Sequence, residues 1–139
     1  MRRLAFLALT AVVIAGGASA GAGTQPSTSL TVAYWEKGSP SIGITDPVTW
    51  TLRCRPARGT LPHPGVACSR LVAGGWELFT PVPKDAICTE IYGGPQIARV
   101  IGAVEGKRVW ATFSRTNGCH IARWNKFSPW LLPRGGVTR

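Results

Sequence analysis

Two short stretches decide the fold predicted for this chain: Cys88-Thr89-Glu90-Ile91-Tyr92-Gly93-Gly94-Pro95-Gln96 and Ser114-Arg115-Thr116-Asn117-Gly118-Cys119. The cysteine of the first stretch lies two residues before the peptide bond from Glu90 to Ile91, so it can tie an exposed, extended segment to the body of a small domain. A segment tied in this way loses little further chain freedom when a partner binds it. The pattern predicts a rigid loop that is presented to a partner, rather than a catalytic centre.

The N-terminus has the three parts of a secretory signal peptide. Met1-Arg2-Arg3 is positively charged, residues 4–15 are almost wholly apolar, and Ala18-Ser19-Ala20 is a small-residue cleavage signal. A membrane anchor is the alternative, but the apolar run is shorter than the roughly 20 residues that span a bilayer. We therefore predict that residues 1–20 are a signal peptide and that the protein is secreted, extracellular and not attached to a membrane once the peptide is removed.

The chain that follows the signal peptide has the length of a single domain. Residues 21–29 are small and polar and are expected to form a flexible leader. The folded domain is expected over residues 30–127. Pro129 and Pro133 argue against regular structure toward the C-terminus, so residues 128–139 are predicted to be a disordered tail.

Four cysteines in a small exported chain predict two disulfide bonds, and counting alone allows three pairings. We prefer sequential pairing, Cys54 with Cys68 and Cys88 with Cys119, because each bond then closes a short local loop. Loop closure of this kind contributes roughly 3 kcal/mol per bond. Zinc is the competing interpretation, but the chain has no Cys-x-x-Cys pair and only two histidines, so no metal site is predicted.

The chain is strongly basic, with 16 lysines and arginines against 6 acids. Without Arg2 and Arg3 the balance is 14 against 6, a net charge of +8, which favours acidic partners through long-range attraction. The basic residues are scattered, and no run of five occurs. A solvated surface is therefore favoured over a nucleic-acid footprint, and no nucleic acid is expected as a partner.

The local patterns predict an α+β fold, an antiparallel sheet with one or two short helices packed against it. A short helix is expected to begin near Pro64, to carry Cys68 inward and to stop at Gly74-Gly75. About one further helical turn is expected at residues 121–125. Strands are expected at residues 30–35, 48–54, 96–104 and 108–113, with the last two joined by a hairpin turn at Glu105-Gly106-Lys107.

Three tryptophans, Trp35, Trp50 and Trp110, fall on these presumed strands. A large aromatic side chain on a strand usually packs against its cross-strand neighbours, so we expect core positions or contacts between subunits. The alternative is stacking of single-stranded bases, which requires the aromatic and basic side chains to share an exposed face.

Five motifs at fixed offsets resemble the Streptomyces subtilisin inhibitor-like proteins, and the resemblance extends from about Leu30 to Trp124. The motifs are Trp50-Thr51-Leu52-x-Cys54, Gly59-Thr60-x-Pro62-x-Pro64-x-x-Ala67-Cys68, Pro81-Val82-Pro83, Cys88-Thr89-x-Ile91-Tyr92-Gly93-Gly94-Pro95-Gln96 and Phe113-Ser114-Arg115-Thr116-Asn117-Gly118-Cys119-x-Ile121-Ala122-Arg123-Trp124. Several rare residues at these offsets make the signal specific. Leu61, His63 and His120 depart from the family's common residues.

The resemblance implies a secreted, substrate-like inhibitor of serine endopeptidases that is not itself an enzyme and needs no cofactor. It also implies a five-stranded antiparallel sheet, two helices, a homodimer formed through the sheets, and the sequential disulfide pairing preferred above. The partner it implies is a secreted serine endopeptidase.

The resemblance also assigns roles to single residues of the loop. By motif position, Glu90 is the primary specificity residue and Ile91 follows the inhibitory bond. Asn117 lies at the position of an asparagine that braces the binding loop from behind. The rest of the binding loop comprises Cys88, Thr89, Tyr92 and Gly93, with Cys119 as the partner of Cys88.

Glu90 limits the proteases that this loop suits. Placing a carboxylate in an apolar pocket costs several kcal/mol unless a cation or hydrogen-bond donors meet it. A trypsin-like pocket, with an acid at its floor, repels it more strongly. The expected target is a glutamate-selective serine protease, or a broad subtilisin-like protease bound weakly.

Two other function classes are less favoured by the sequence. A noncatalytic binding module for an anionic polymer, either cell wall or nucleic acid, would use the net charge, and its binding would fall steeply with added salt. Catalysis is disfavoured because His63 lies between prolines without a nucleophile motif, His120 adjoins a cysteine, and no pattern of paired carboxylates occurs.

Overall fold

The computed structural model describes residues 23, 27–38 and 46–136. The predicted signal peptide and most of the predicted leader lie outside these residues. Among the described residues, no helix is both long enough and apolar enough to span a membrane.

Five strands form one antiparallel sheet, as the resemblance implies, and their order is β3-β2-β1-β4-β5. Each expected strand forms within two residues of its predicted bounds, and a two-residue edge strand that the sequence did not predict, β3, is added. The strands are β1 (Ser29–Trp35), β2 (Val48–Arg53), β3 (Arg58–Gly59), β4 (Ile97–Val104) and β5 (Lys107–Phe113).

Alternation of apolar and polar residues fixes which face of the sheet is buried. In β5, Val109, Ala111 and Phe113 are buried, whereas the residues between them are exposed. In β1, Leu30 and Val32 point to the same inner face and are also buried. The inner face therefore builds the core with the helices, and the outer face is left for solvent or a partner.

The turn between β4 and β5 consists of Glu105 and Gly106, which have φ angles of 48° and 77°. Two-residue hairpin turns that match the sheet's twist need positive φ at both positions, which glycine adopts readily and glutamate rarely. Glu105 is held there by a salt bridge to Arg55 and a hydrogen bond donated by its backbone N–H to Thr28 Oγ1 at 3.0 Å. The hydrogen bond from Arg55 also lowers the pKa of Glu105.

Two helices lie on the inner side of the sheet. The first, α1 (Pro64–Gly74), begins and ends where the sequence predicts, and it buries Cys68. The second, α2 (Gly118–Phe127), is longer than the single turn predicted at residues 121–125. It starts earlier because the Asn117 side chain accepts a hydrogen bond from the backbone N–H of His120 at 3.0 Å, which caps the first turn.

Phe127, at the end of α2, is the centre of an aromatic cluster. Its ring centroid lies 4.8 Å from that of Phe113, 5.1 Å from that of Phe79 and 5.3 Å from that of Trp130. Aromatic pairs at these separations stabilise a core beyond the area they bury. The cluster joins the sheet, α2, a 3-10 turn (Trp76–Phe79) and the C-terminal segment.

The prediction of a disordered tail over residues 128–139 is wrong for its first part. Trp130, Leu131 and Leu132 are 7%, 1% and 1% exposed, and the Trp124 indole donates a hydrogen bond to the Pro133 carbonyl at 2.9 Å. The prolines do prevent helix and strand, but an irregular segment can still bury apolar side chains when its backbone groups find partners. The far end of the tail, residues 137–139, lies outside the described residues.

The predicted leader is also ordered at its last residues. Ser29 begins β1, and Thr28 is 2% exposed. The Ser27 carbonyl accepts a hydrogen bond from the Gly106 N–H at 3.0 Å, so this part of the leader packs along the β4–β5 turn.

Both predicted disulfide bonds are present, Cys54 with Cys68 and Cys88 with Cys119. The first joins the end of β2 to α1 inside the core. The second joins an irregular segment before β4 to the first turn of α2.

We expect Leu131→Ala to lower the free energy of unfolding by about 2–5 kcal/mol, the usual cost of emptying a core leucine site. Chemical denaturation of the mature protein measures the change. Arg134→Ala, at an exposed position of the same segment, is the control and should leave stability nearly unchanged. Equal stability of the two variants would show that the C-terminal segment does not pack in the core.

Candidate functional site

The segment between the 3-10 turn and β4, residues 80–96, contains no helix or strand, and we call it the presented loop. Its large apolar side chains are exposed: Ile87 is 101% exposed, Ile91 62% and Tyr92 65%. Clustered exposed apolar side chains of this size mark contact surfaces on soluble proteins. The outer side of the presented loop therefore has the character of a binding surface.

The structure brings the predicted loop residues together on one side of this surface. Thr89 and Glu90 are exposed, Ile91 and Tyr92 follow them, and Gly93 is half-buried where the chain turns back to the domain. Within the described residues, no hydrogen bond or salt bridge holds the Glu90 side chain. Its carboxylate is thus available to a partner.

The middle of the presented loop is held by the start of α2. Cys88 is bonded to Cys119, and the Gly118 N–H donates a hydrogen bond to the Thr89 carbonyl at 2.9 Å. The approach is so close that a Cβ atom on Gly118 would lie 2.0 Å from Thr89 Oγ1. A side chain at residue 118 would therefore require the Thr89 side chain to move, and the backbone just before Glu90 is fixed both covalently and by this hydrogen bond.

The end of the presented loop is held by Arg115, which is 7% exposed. The Gly93 N–H donates to the Arg115 carbonyl at 2.8 Å, and the Arg115 guanidinium donates back to the Gly93 carbonyl. Sequence reasoning gave Arg115 no role, although it lies inside one of the quoted stretches. Arginines in a basic chain are expected to be exposed to solvent, so the composition does not indicate that Arg115 is buried.

The start of the presented loop is held by a second buried arginine, Arg123, which is 8% exposed. Its guanidinium donates to the carbonyls of Phe79 at 2.8 Å, Thr80 at 3.2 Å and Thr112 at 2.8 Å. Burial lowers the pKa of Arg123 from its ordinary value. These bonds fix the direction in which the chain leaves the 3-10 turn, and sequence reasoning missed this residue too.

Asn117 acts on the presented loop through the helix. Its side chain caps α2, and in the part of the chain that the structure describes no hydrogen bond joins it to the loop. By fixing the first turn of α2, Asn117 sets the position of Gly118 and Cys119, which do contact the loop. Within the described residues there is also no group of three or more His, Cys, Asp or Glu side chains that could hold a metal ion.

Comparisons with known proteins give one consistent result. The family model for subtilisin inhibitor-like proteins matches residues 25–117, which include the whole presented loop. The trypsin inhibitor STI2 of Streptomyces longisporus is 32% identical over 130 residues, which cover 84% of this chain and 86% of the relative.

A solved structure is also similar, that of Streptomyces caespitosus sermetstatin in complex with Bacillus licheniformis subtilisin. The TM-score is 0.52 at 25% sequence identity, and the match covers 78% of this chain and 98% of the other. The fold is therefore shared with a protein solved in complex with subtilisin, and the match to the family model includes the presented loop.

Replacing Cys88 and Cys119 together by serine should leave the sheet and core intact but loosen the presented loop. We expect an unrelated broad protease to cut within residues 80–96 at least about tenfold faster, because local opening of the loop then costs less. Limited proteolysis with mass mapping of the cuts measures this.

The matched control is the double serine variant of Cys54 and Cys68. The two bonds close 14 and 31 residues of sequence, and loop closure gives roughly 3.0 and 3.7 kcal/mol for them. The control should lose similar stability without faster cutting in the loop while it remains folded. Equal cutting of the two variants would show that the bond at Cys88 does not brace the loop.

Proposed function

Because this chain belongs to the subtilisin inhibitor-like family, a family of protease inhibitors that are not themselves enzymes, we propose that it is secreted and inhibits a serine endopeptidase by presenting the bond from Glu90 to Ile91. The observation that carries this proposal is the exposed presented loop, held from beneath at its start, middle and end. Such a loop offers a protease an extended peptide at little cost in chain entropy.

The proposed mechanism uses the ordinary first step of a serine protease. The catalytic serine oxygen attacks the Glu90 carbonyl, the bond to the Ile91 nitrogen breaks, and that nitrogen takes a proton to leave as an amine. In a free peptide the amine diffuses away and water hydrolyses the ester. Here the amine stays close, attacks the ester and re-forms the peptide bond, which returns the serine hydroxyl. The loop therefore stays in the active site, and the protease does not complete a turnover.

Recognition on both sides of the bond is proposed to be led by the backbone. The residues flanking Glu90 and Ile91, Thr89 and Tyr92, would pair with the substrate groove as an added extended strand, a mode that tolerates different side chains. The Ile87 side chain, fully exposed three residues before Glu90, offers an additional apolar contact.

Glu90 sets the proposed specificity. A pocket with basic or hydrogen-bond-donating groups suits its carboxylate, whereas an apolar pocket binds it weakly and an acid-floored pocket repels it. The target proposed is accordingly a glutamate-selective serine protease, or a subtilisin-like protease bound weakly. The relative from Streptomyces longisporus is named a trypsin inhibitor, and we propose that this chain differs from it in target.

Glu90→Lys should convert the protein into a trypsin inhibitor, because the acid at the floor of a trypsin-like pocket then attracts the side chain. We expect the inhibition constant for trypsin to fall at least about a hundredfold, the equivalent of ~2.7 kcal/mol. Residual activity of trypsin, subtilisin and a glutamate-selective protease measures this, together with mapping of any cut to the bond after residue 90.

The control is Glu77→Lys, which makes the same charge change at an exposed position outside the presented loop. It should leave inhibition of every protease unchanged. Tight trypsin inhibition by the unaltered protein would contradict the assignment of Glu90. A Glu90→Lys variant that inhibits no protease would contradict the assignment of the loop.

We further propose that two copies associate through the outer face of the sheet. Thr31, Ile101 and Trp110 are direct cross-strand neighbours on this face, and the Ile101 and Trp110 side chains are 38% and 70% exposed. An exposed apolar row of this kind is costly in a monomer and suits a self-complementary contact about a two-fold axis. The presented loop remains accessible on each copy, since it lies outside the sheet.

Trp110→Asp should shift the mature protein from dimer to monomer, because it places a charge in the middle of the proposed contact. Light scattering during size-exclusion chromatography gives the mass. Val72→Asp, at a 60% exposed position on α1, is the control and should leave the mass unchanged. A monomeric unaltered protein at micromolar concentration would exclude this contact.

A further inference from the structure

We propose that Arg115, Gln96 and the C-terminal backbone at residues 135–136 form a clamp that retains the downstream half of the presented loop after the bond at Glu90 is cut. The proposal rests on the proposed function and assigns Arg115 as a positioning residue. The clamp is defined by contacts between parts of the chain that are distant in sequence.

The guanidinium of Arg115 is the centre of this clamp. Its Nη1 atom donates to the Gly93 carbonyl, to Gln96 Oε1 at 3.3 Å and to the Gly136 carbonyl at 3.4 Å. Gln96, which is 3% exposed, donates from Nε2 to the same Gly136 carbonyl at 3.2 Å. The C-terminal segment is therefore bonded to Gln96, where the loop enters β4, and to Arg115, which in turn binds Gly93.

The backbone at Gly135 packs directly against the guanidinium. A Cβ atom there would lie 2.2 Å from Arg115 Cζ and 2.4 Å from its Nε, closer than side-chain carbons approach other atoms. A Cβ atom at residue 135 would thus force the Arg115 guanidinium and the C-terminal backbone apart.

The clamp lies downstream of the inhibitory bond, so it can hold the half of the loop that begins at Ile91. Cutting between Glu90 and Ile91 leaves the upstream half attached to α2 by the bond from Cys88 to Cys119 and by the hydrogen bond at Thr89. Neither contact holds Ile91. Among the described residues, the first hydrogen-bonded residue downstream is Gly93, whose N–H is bonded to the backbone carbonyl of Arg115 and whose carbonyl is bonded to the Arg115 guanidinium.

Retention of the new amine at Ile91 therefore depends on Arg115. If the clamp is intact, the amine stays within reach of the ester at Glu90, and re-formation of the bond competes with hydrolysis. If the clamp is displaced, the downstream half gains chain freedom and the effective concentration of the amine falls. The disulfide and the clamp thus hold opposite sides of the same bond.

The test uses Gly135→Ala in the full mature protein, because this variant disrupts the close contact between residue 135 and Arg115 without changing any charge. We expect hydrolysis of the bond after Glu90, followed by mass spectrometry during incubation with an inhibited protease, to become about tenfold faster, the equivalent of ~1.4 kcal/mol. Arg115→Ala should give at least as large an effect. Gly65→Ala, where a Cβ atom meets nothing within 4 Å, is the control and should match the unaltered protein.

A purely structural role for the clamp predicts a different result. In that case the variants lose thermal stability, but the folded fraction is cut no faster than the control, and the proposal is overturned. If Gly135→Ala does not fold, a chain ending at Arg134 replaces it, and unchanged cutting of that chain overturns the proposal equally.

The experiment also distinguishes failure of the proposed function from failure of the clamp. An unaltered protein that inhibits no serine protease of the panel refutes the inhibitor assignment. The clamp is then judged by hydrogen exchange at the Gly93 amide, which is bonded to the backbone carbonyl of Arg115 while the Arg115 guanidinium holds the Gly93 carbonyl. If the guanidinium restrains Gly93, local opening should make this exchange at least about tenfold faster in Gly135→Ala than in Gly65→Ala. Equal exchange refutes the clamp itself.

Discussion

The presented loop depends on one constraint: the nine residues from Arg115 to Arg123 lie beneath it. The loop has no helix or strand of its own, so its conformation must be imposed by partners outside it. Arg123 supplies the partners at its start, Gly118 and Cys119 those at its middle, and Arg115 those at its end. The first half of α2, as far as Arg123, and the residues just before the helix thus support the loop.

Two of these supports are buried arginines that bind backbone carbonyls instead of carboxylates. A guanidinium has five N–H donors in a planar fork, so a single side chain can bond several carbonyls from different segments. The chain has only 6 acidic residues, and the described salt bridge uses one of them at the hairpin turn. Carbonyls carry no net charge, so these supports hold the loop without placing an acid near Glu90.

Covalent and periodic features of the chain made much of the fold predictable. Alternation gave four strands, Pro64 and Gly75 bounded α1, and the spacing of the cysteines suggested the pairing that the structure contains. The loop from Cys88 to Gly93 was recognisable because a rare combination of residues surrounds its cysteine. α2 begins earlier than predicted because Asn117 caps its first turn, whereas an asparagine before a glycine is equally typical of a simple turn.

The sequence by itself determined four of the five strands and the bounds of α1, because periodicity and turn residues are local properties of a chain. The short loops between the cysteines also favoured the disulfide pairing that the structure contains. Only the tertiary structure decided how the loop is held and where the C-terminal segment lies. Arg115 and Arg123 bind carbonyls 21 and 44 residues away, at Gly136 and Phe79. Every residue has a backbone carbonyl, so the sequence does not indicate which carbonyl will accept a hydrogen bond from a buried arginine. Only the fold determines which carbonyl each arginine binds.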